Sequence, residues 1–201
     1  IMIQNQLSRF ITEDANEMFN ETLRKSLLVR AQKKQDVFWN EYLSWFYVQQ
    51  KEYGKAFIQE KAIYKRNPET FSNIVNLAQL AIEESEQETA KEILTFVLDN
   101  TNDLELLIQA HTFLIQMRID TAQEKDFKGI ASDLDVLLKE FGISPYSLSL
   151  QIMQAHFSTF YLKQAEQGKL VLNTALDLPL NEYQKADVKM ELADILLFEE
   201  K

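Results

Sequence analysis

The chain has 201 residues, of which 46% are hydrophobic and 26% charged, a composition typical of a folded protein with a sizeable core. Its net charge of −10 argues against binding to nucleic acid or to an anionic membrane surface, because both present negative groups that require a basic protein surface. The absence of cysteine excludes disulfides, thiolate catalysis and zinc–thiolate sites.

Apolar residues recur at helical spacing along the chain, and its four glycines and three prolines leave room for long helices. The first predicted helix covers 14–35, with Asp14 as its N-cap. The second covers 37–50 and is rich in aromatic residues. The third begins at Tyr53 or Gly54 and ends before Pro68, with Gly54 interpreted as the turn between the second and third helices. The remaining predicted helices cover 70–84, 86–99, 104–120, 126–141, 146–165, 166–177 and 182–199.

Two independent positions keep the same period along these helices. Leu43 and Leu77 are 34 residues apart (77 − 43 = 34), and so are Ala56 and Ala90 (90 − 56 = 34). The step from Ala90 to Ala131 is longer, which predicts an insertion around "DTAQEKD" in the third repeat. Helix pairs that recur at 30 to 45 residues are typical of an α-solenoid.

The residues resemble the tetratricopeptide repeat family, whose unit is a 34-residue helix–turn–helix. "EYGKAF…AIYKRNP" is similar to the second half of such a unit, with Ala56 at the close helix crossing and Pro68 at the end. "GKLVLNTALDLP" repeats that pattern with Gly168 in the small position, and "NLAQLA" and "ELADIL" are similar to part of the first helix. The signature Trp and Gly of the first helix are missing, so the repeats are degenerate.

The resemblance implies an all-α, right-handed α-solenoid of stacked antiparallel helix pairs, forming one domain over 1–201. The expected pairs are 37–68, 70–102, 104–144 and 146–179, flanked by helices 14–35 and 182–199. The chain starts with Ile and ends at "LLFEEK", and we therefore expect a fragment of a larger bacterial tetratricopeptide protein.

Catalytic and metal-binding patterns are missing from the sequence. His111 and His156 each lack a second metal ligand three or four residues later. The chain has no glycine-rich phosphate loop and no G-x-S-x-G motif. We therefore expect no enzyme activity, no cofactor and no metal.

The resemblance implies that the first helix of each pair lines a concave surface that binds peptides or partner helices. Amides can bond a peptide backbone there, and aromatic side chains can anchor it. The expected contact residues are Tyr42, Trp45, Gln49, Asn76, Gln79, Gln109, Phe113, Gln154, Phe157 and Tyr161, with Gln116 and Met153 beside them.

Two functions fit these residues, namely a non-catalytic protein-interaction scaffold or a sensor domain that holds a peptide or ligand for a larger protein. The net negative charge of the chain favours neutral or basic partners. The chain has no targeting segment and no run of roughly 20 apolar residues, so we expect a soluble cytoplasmic or periplasmic protein without membrane insertion. Self-association through 182–199 is also expected, because Leu192, Ile195, Leu196 and Phe198 lack a predicted partner helix.

Overall fold

A computed structural model of the chain describes residues 7, 11, 17–33, 36–68 and 71–200, apart from the side chain at position 72. These residues are almost all helical and contain no β-strand. Ten helices with described bounds pack against their neighbours. They are α1 Glu17–Lys33, α2 Val37–Gln49, α3 Tyr53–Tyr64, α4 Phe71–Glu83, α5 Gln87–Asn100, α6 Leu104–Thr121, α7 Phe127–Phe141, α8 Leu148–Phe160, α9 Ala165–Leu176 and α10 Glu182–Glu199.

The all-helical prediction is confirmed, and most helix bounds lie within a few residues of those predicted. The predicted helix over 146–165 is wrong at both ends. It begins with a short 3-10 turn at Pro145–Ser147, and α8 ends at Phe160 because Lys163 takes a left-handed backbone conformation. The predicted insertion in the third repeat corresponds to the 18-residue α6 and a 3-10 turn at Glu124–Asp126. The Asp14 cap lies outside the described residues.

The helices cluster into two compact units, which divide between Thr101 and Asn102. In the first unit, α2 packs extensively on α3 and α4 on α5. In the second unit, α8 packs most extensively on α9, while α6 and α10 both contact α8. Helices α6, α8 and α10 together line a groove in this unit.

A turn with one left-handed residue joins three helix pairs. Lys51, Ser85 and Lys163 have φ values of 55°, 64° and 61°, and each ends a helix in the left-handed conformation. Lys51 and Ser85 keep the 34-residue spacing (85 − 51 = 34). The residue after each of these two donates its backbone N–H five residues back, from Glu52 to Tyr47 and from Glu86 to Ala81, both at 2.8 Å.

The position of the first turn corrects the interpretation of Gly54. Gly54 lies inside the first turn of α3, and Lys51 supplies the left-handed residue instead. Five residues after each left-handed residue comes the small residue of the crossing, at Ala56, Ala90 and Gly168. Both alanines are fully buried, and Gly168 is buried too, as expected for a close helix crossing.

Two apolar clusters hold the second unit together. One joins α6, α7 and α8 through residues such as Ile115, Leu134 and Leu150. The other joins α8, α9 and α10 through Leu172 and Ile195, among others. Because α8 contributes to both clusters, it is fixed on both sides and holds the groove-lining side chains in place.

Candidate binding groove

A groove of about 870 Å³ runs along the second unit. Helix α6 forms one wall, α8 the floor and α10 the other wall, with Tyr146 from the preceding 3-10 turn at one end. The lining residues of α6 recur every three or four positions, so one face of the helix points into the groove. We call this feature the α6–α8–α10 groove.

Apolar side chains cover the inner part of the groove. They include buried residues such as Ile108, Leu148 and Met153 and half-buried residues such as Phe113 and Ile152. Carrying apolar surface in an open groove has a free-energy cost that a bound partner can remove. The site therefore suits a ligand that brings apolar side chains of its own.

Polar and acidic side chains surround this apolar surface. The acidic ones are Glu105 at the start of α6 and Asp187 and Glu191 on α10, and we call these three residues the acidic edge. No lysine or arginine is among the described residues that line the groove. The local charge thus has the same sign as the net charge of the chain, which favours a cationic partner.

One side-chain contact joins the floor to the α10 wall. His156 Nδ1 lies 2.9 Å from Glu191 Oε1, and the imidazole also packs against Phe160 with ring centroids 4.5 Å apart. The side chain of Glu191 is 13% exposed, whereas that of His156 is 47% exposed. The contact fixes a half-exposed imidazole beside a largely buried carboxylate.

The groove also contains a serine, which raises the question of nucleophilic chemistry. Ser149 lies seven residues before His156 on α8, a separation of about 10 Å along a helix. Its hydroxyl lies 3.3 Å from that of Thr112 on α6 instead. A serine nucleophile needs a base within hydrogen-bonding distance, and the described geometry does not bring Ser149 to His156.

Among the residues that the structure describes, no group of three or more His, Asp or Glu side chains is placed to hold a metal ion. No described helix is both long and apolar enough to cross a bilayer.

The predicted contact residues of the second unit divide into two groups. Gln109, Phe113, Gln116 and Met153 line the groove. The other three, Gln154, Phe157 and Tyr161, do not line it.

Phe157 is only 1% exposed and lies in the core between α7 and α8, so it offers no area to a partner. Tyr161 lies in the turn after α8 and stacks on Phe157, with ring centroids 4.9 Å apart. The Gln154 amide donates a 2.6 Å hydrogen bond to Asp135 of α7, away from the groove.

In the first unit, the predicted contact residues lie on α2 and α4. Tyr42 and Trp45 are half-buried neighbours with ring centroids 6.3 Å apart, and Gln49 is half-buried one turn later. Asn76 and Gln79 are exposed on α4. Their role in binding a partner stays a prediction.

Sequence analysis missed the contribution of α10 to the groove. Gln184, Asp187 and Glu191 recur at spacings of three and four and line one wall. The similarity of "NLAQLA" to "ELADIL" could have placed α10 beside α8 as another first helix. Periodicity alone does not identify which polar face of that helix would meet a ligand.

His111, the other histidine, lies outside the groove. It contacts Phe141 of α7, with ring centroids 5.7 Å apart, and burial lowers the pKa of its imidazole. The similar sequences around His111 and His156 therefore do not produce similar sites.

A scan against protein-family models, a search of curated proteins and a search of solved structures each gave no match to this chain. The resemblance to tetratricopeptide repeats therefore stays a prediction.

Proposed function

We propose that this chain is a non-catalytic interaction module whose α6–α8–α10 groove binds a basic, amphipathic segment of a partner protein. The observation that carries the proposal is the combination of an apolar floor with an acidic edge in one open groove of about 870 Å³. A small apolar metabolite would make no contact with the charges of the acidic edge, and an acidic peptide would be repelled by them.

The groove matches the two kinds of side chain on such a segment. Phe113, Ile152 and Met153 offer apolar area to hydrophobic side chains. Glu105 and Asp187, on opposite walls, lie within reach of lysine or arginine side chains that project from the segment. Amides of Gln109, Gln116 and Gln184 can bond the peptide backbone without regard to its sequence.

The finer architecture that we propose is a right-handed, tetratricopeptide-like α-solenoid of antiparallel helix pairs. The support is the recurrence of one left-handed turn at Lys51, Ser85 and Lys163, each followed by a small residue five positions later. In such an array α6, α8 and α10 are successive first helices, which explains why they share a groove. The residues Tyr42, Trp45, Gln49, Asn76 and Gln79 would then form a second contact surface on the first unit.

The experiment is selection of a displayed random-peptide library on the full chain. We expect the selected peptides to combine lysine or arginine with large apolar residues. Their dissociation constants should increase at least tenfold in Phe113→Ala, as is usual when a central aromatic anchor is removed. Val136→Ala is the matched control, because Val136 is exposed on α7 and does not line the groove.

Two results would contradict the proposal. One is a selected set without basic residues. The other is equal affinity of the selected peptides for wild type, Phe113→Ala and Ile152→Arg, since the arginine would place a cation on the apolar floor.

A further inference from the structure

Several polar side chains that line the α6–α8–α10 groove are already bonded within the chain. Gln184 donates a 3.2 Å hydrogen bond to the Pro145 carbonyl oxygen, and its own Oε1 accepts one from the Asn181 N–H. The Gln116 amide donates a 2.7 Å bond to Asp120. These two glutamines could therefore bond a peptide backbone only by giving up the partners that they have.

Hydroxyl and imidazole groups of the groove have partners as well. Thr112 donates a 2.8 Å bond to the Ile108 carbonyl oxygen, and its hydroxyl lies 3.3 Å from that of Ser149. His156 is in contact with Glu191. A peptide backbone laid on the apolar floor would thus meet few polar groups that are ready to bond it. Its N–H and C=O groups would lose water without gaining a partner, which costs free energy.

The walls of the groove are fixed by the core, so a ligand must fit the shape that exists. Ile115 of α6 and Ile195 of α10 lie in the two apolar clusters of the second unit. Phe198 packs on Phe160 of α8, with ring centroids 5.0 Å apart. This placement also corrects the sequence-based expectation for 182–199, because Ile195 and Phe198 have partners inside the unit. Self-association through this helix stays a prediction.

We propose that the segment bound in the α6–α8–α10 groove is an amphipathic α-helix whose apolar face is flanked on both sides by lysine or arginine. A helix bonds its N–H and C=O groups internally, apart from those at its ends, so it needs few hydrogen-bond partners from the groove. The inference rests on the function proposed above and adds the conformation and the side-chain pattern of the partner.

The groove contacts an occupant from three directions. Ile152 and Met153 lie on the floor, while Glu105 on α6 and Asp187 on α10 lie on opposite walls. Successive side chains of an extended segment point to opposite sides, so such a segment can reach the floor or both walls but not all three. Successive side chains of a helix are about 100° apart and reach all three. A helix can therefore place apolar residues on the floor and a cation against each wall.

The length of the lined surface sets the length of the bound helix. On α6 this surface extends from Glu105 to Ile119 (119 − 105 = 14), which is about 21 Å at about 1.5 Å per residue. A partner helix of about 14 residues, or about four turns, covers that distance. An extended segment would cover it in about six residues and would bring only about three side chains to the floor.

Two peptides of the same composition test the inference. Each has about 14 residues, half of them leucine and half lysine, and carries a fluorescent label. In the helix-patterned peptide the leucines recur at i, i+3, i+4 and i+7, which gives a helix one apolar face. In the alternating peptide leucine and lysine alternate, which gives an extended chain one apolar face. By fluorescence anisotropy with the full chain, we expect the helix-patterned peptide to bind at least tenfold more tightly.

Two groove variants separate the outcomes. Binding of the helix-patterned peptide should weaken at least tenfold in Phe113→Ala and stay unchanged in Val136→Ala, which lies outside the groove. Equal or tighter binding of the alternating peptide, if Phe113→Ala abolishes it, would overturn the helical partner and leave the proposed function intact. If neither peptide shows binding that depends on Phe113, both the helical partner and the proposed function of the groove are overturned.

A proline in place of one lysine of the helix-patterned peptide tests the bound conformation. In the middle of the peptide, proline removes a backbone hydrogen bond and clashes with the preceding turn, so the dissociation constant should increase at least tenfold. In the first turn of the helix, proline is tolerated and should change the affinity little, although the same charge is lost. Similar affinities of the two proline peptides would contradict a helical partner.

Variants of the two walls test for cations on both flanks of the helix. Glu105→Gln and Asp187→Asn each remove one charge at an exposed residue and keep the size of the side chain. Each should weaken binding of the helix-patterned peptide by roughly 1.5-fold to fivefold, because its lysines reach both walls. Glu124→Gln makes the same change at an exposed residue outside the groove and is the matched control. A loss in only one of the two wall variants would overturn the two-sided pattern.

Discussion

Gly168 of α9 lies directly against Ala155 of α8. A methyl group at position 168 would stand 2.8 Å from the Ala155 carbonyl oxygen and 3.2 Å from Cδ1 of Ile195, and it would overlap the hydroxyl of Thr159. The carbonyl belongs to the backbone of α8, so it cannot move aside as a flexible side chain could. Close contact at this crossing thus requires glycine.

Gly168→Ala should destabilise the protein, although alanine is the better helix former. Alanine gains about 1 kcal/mol of helix propensity over glycine. Overpacking a tight crossing costs on the order of 1–3 kcal/mol, and here the obstacle is backbone. We expect a net decrease in the urea midpoint measured by circular dichroism.

Gly54→Ala is the matched control, with the opposite expected sign. Nothing lies within 4 Å of a methyl group at position 54, and the residue is inside α3. The substitution should stabilise the chain by up to about 1 kcal/mol. Equal destabilisation by both variants would mean that packing at Gly168 is not the cause.

Ser85→Gly should stabilise the turn between α4 and α5. Ser85 has φ 64°, a left-handed conformation that costs non-glycine residues about 1–2 kcal/mol. Glycine adopts it freely but has a more flexible unfolded state, so we expect a net gain of several tenths of a kcal/mol. Ser85→Ala keeps the strain and should change the urea midpoint little. A loss of stability in Ser85→Gly comparable to that of a core variant would contradict the assignment.

Helices could be predicted from this sequence because each buries one apolar face, and that face imposes a period that the residues display. The turns could not be predicted equally well. A glycine in the sequence indicates where a left-handed residue is easy, but the helix pairing determines where one is needed. Lys51, Ser85 and Lys163 take that conformation because the backbone bonds that close each helix require it.

The candidate site was predictable on the α6 wall and at one residue of the floor. The repeat spacing placed Gln109, Phe113, Gln116 and Met153 on the inner face of first helices, and all four line the groove. Phe157 has the same chemistry one turn after Met153, but it faces α7 and is buried. Periodicity identifies residues that share a face, while contact with a neighbouring helix decides whether that face is core or groove.

Glu60→Leu should stabilise the first unit. Glu60 is 7% exposed, its Oε1 accepts a hydrogen bond from Ser44, and its Oε2 has no hydrogen-bond partner. Glu60 lies four residues after Ala56, and the equivalent positions after Ala90 and Gly168 are the fully buried Leu94 and Leu172. An unsatisfied buried polar atom costs about 1–3 kcal/mol, and leucine removes it. The urea midpoint should increase, and a decrease would show that the Ser44 bond outweighs the burial cost.

The stability gained from neutralising Glu60 should depend on pH. Burial raises the pKa of this carboxyl above its usual value of 4.5, and the nearby Glu41 adds to the increase. The folded state therefore binds the proton more tightly, and its stability falls as pH increases from 4.5 through the raised pKa. The isosteric Glu60→Gln variant should be more stable than wild type at neutral pH, with a difference that shrinks towards pH 4.5. Urea unfolding of both proteins at several pH values measures it, and a constant difference would contradict the assignment.

Glu105→Lys should weaken the binding of basic peptides in the groove while leaving the apolar contacts intact. Glu105 is exposed at the start of α6 and lines the acidic edge, so reversing its charge replaces an attraction with a repulsion. Pairs of exposed charges contribute about 0.2–1 kcal/mol each, and turning an attraction into a similar repulsion doubles that to about 0.4–2 kcal/mol, an affinity loss of roughly twofold to thirtyfold with a weaker dependence on salt. Glu124→Lys makes the same change at an exposed residue outside the groove and should have little effect on isothermal titration of a selected peptide. Equal losses in the two variants would mean that net charge alone attracts the peptide, because only Glu105 lies beside the apolar floor.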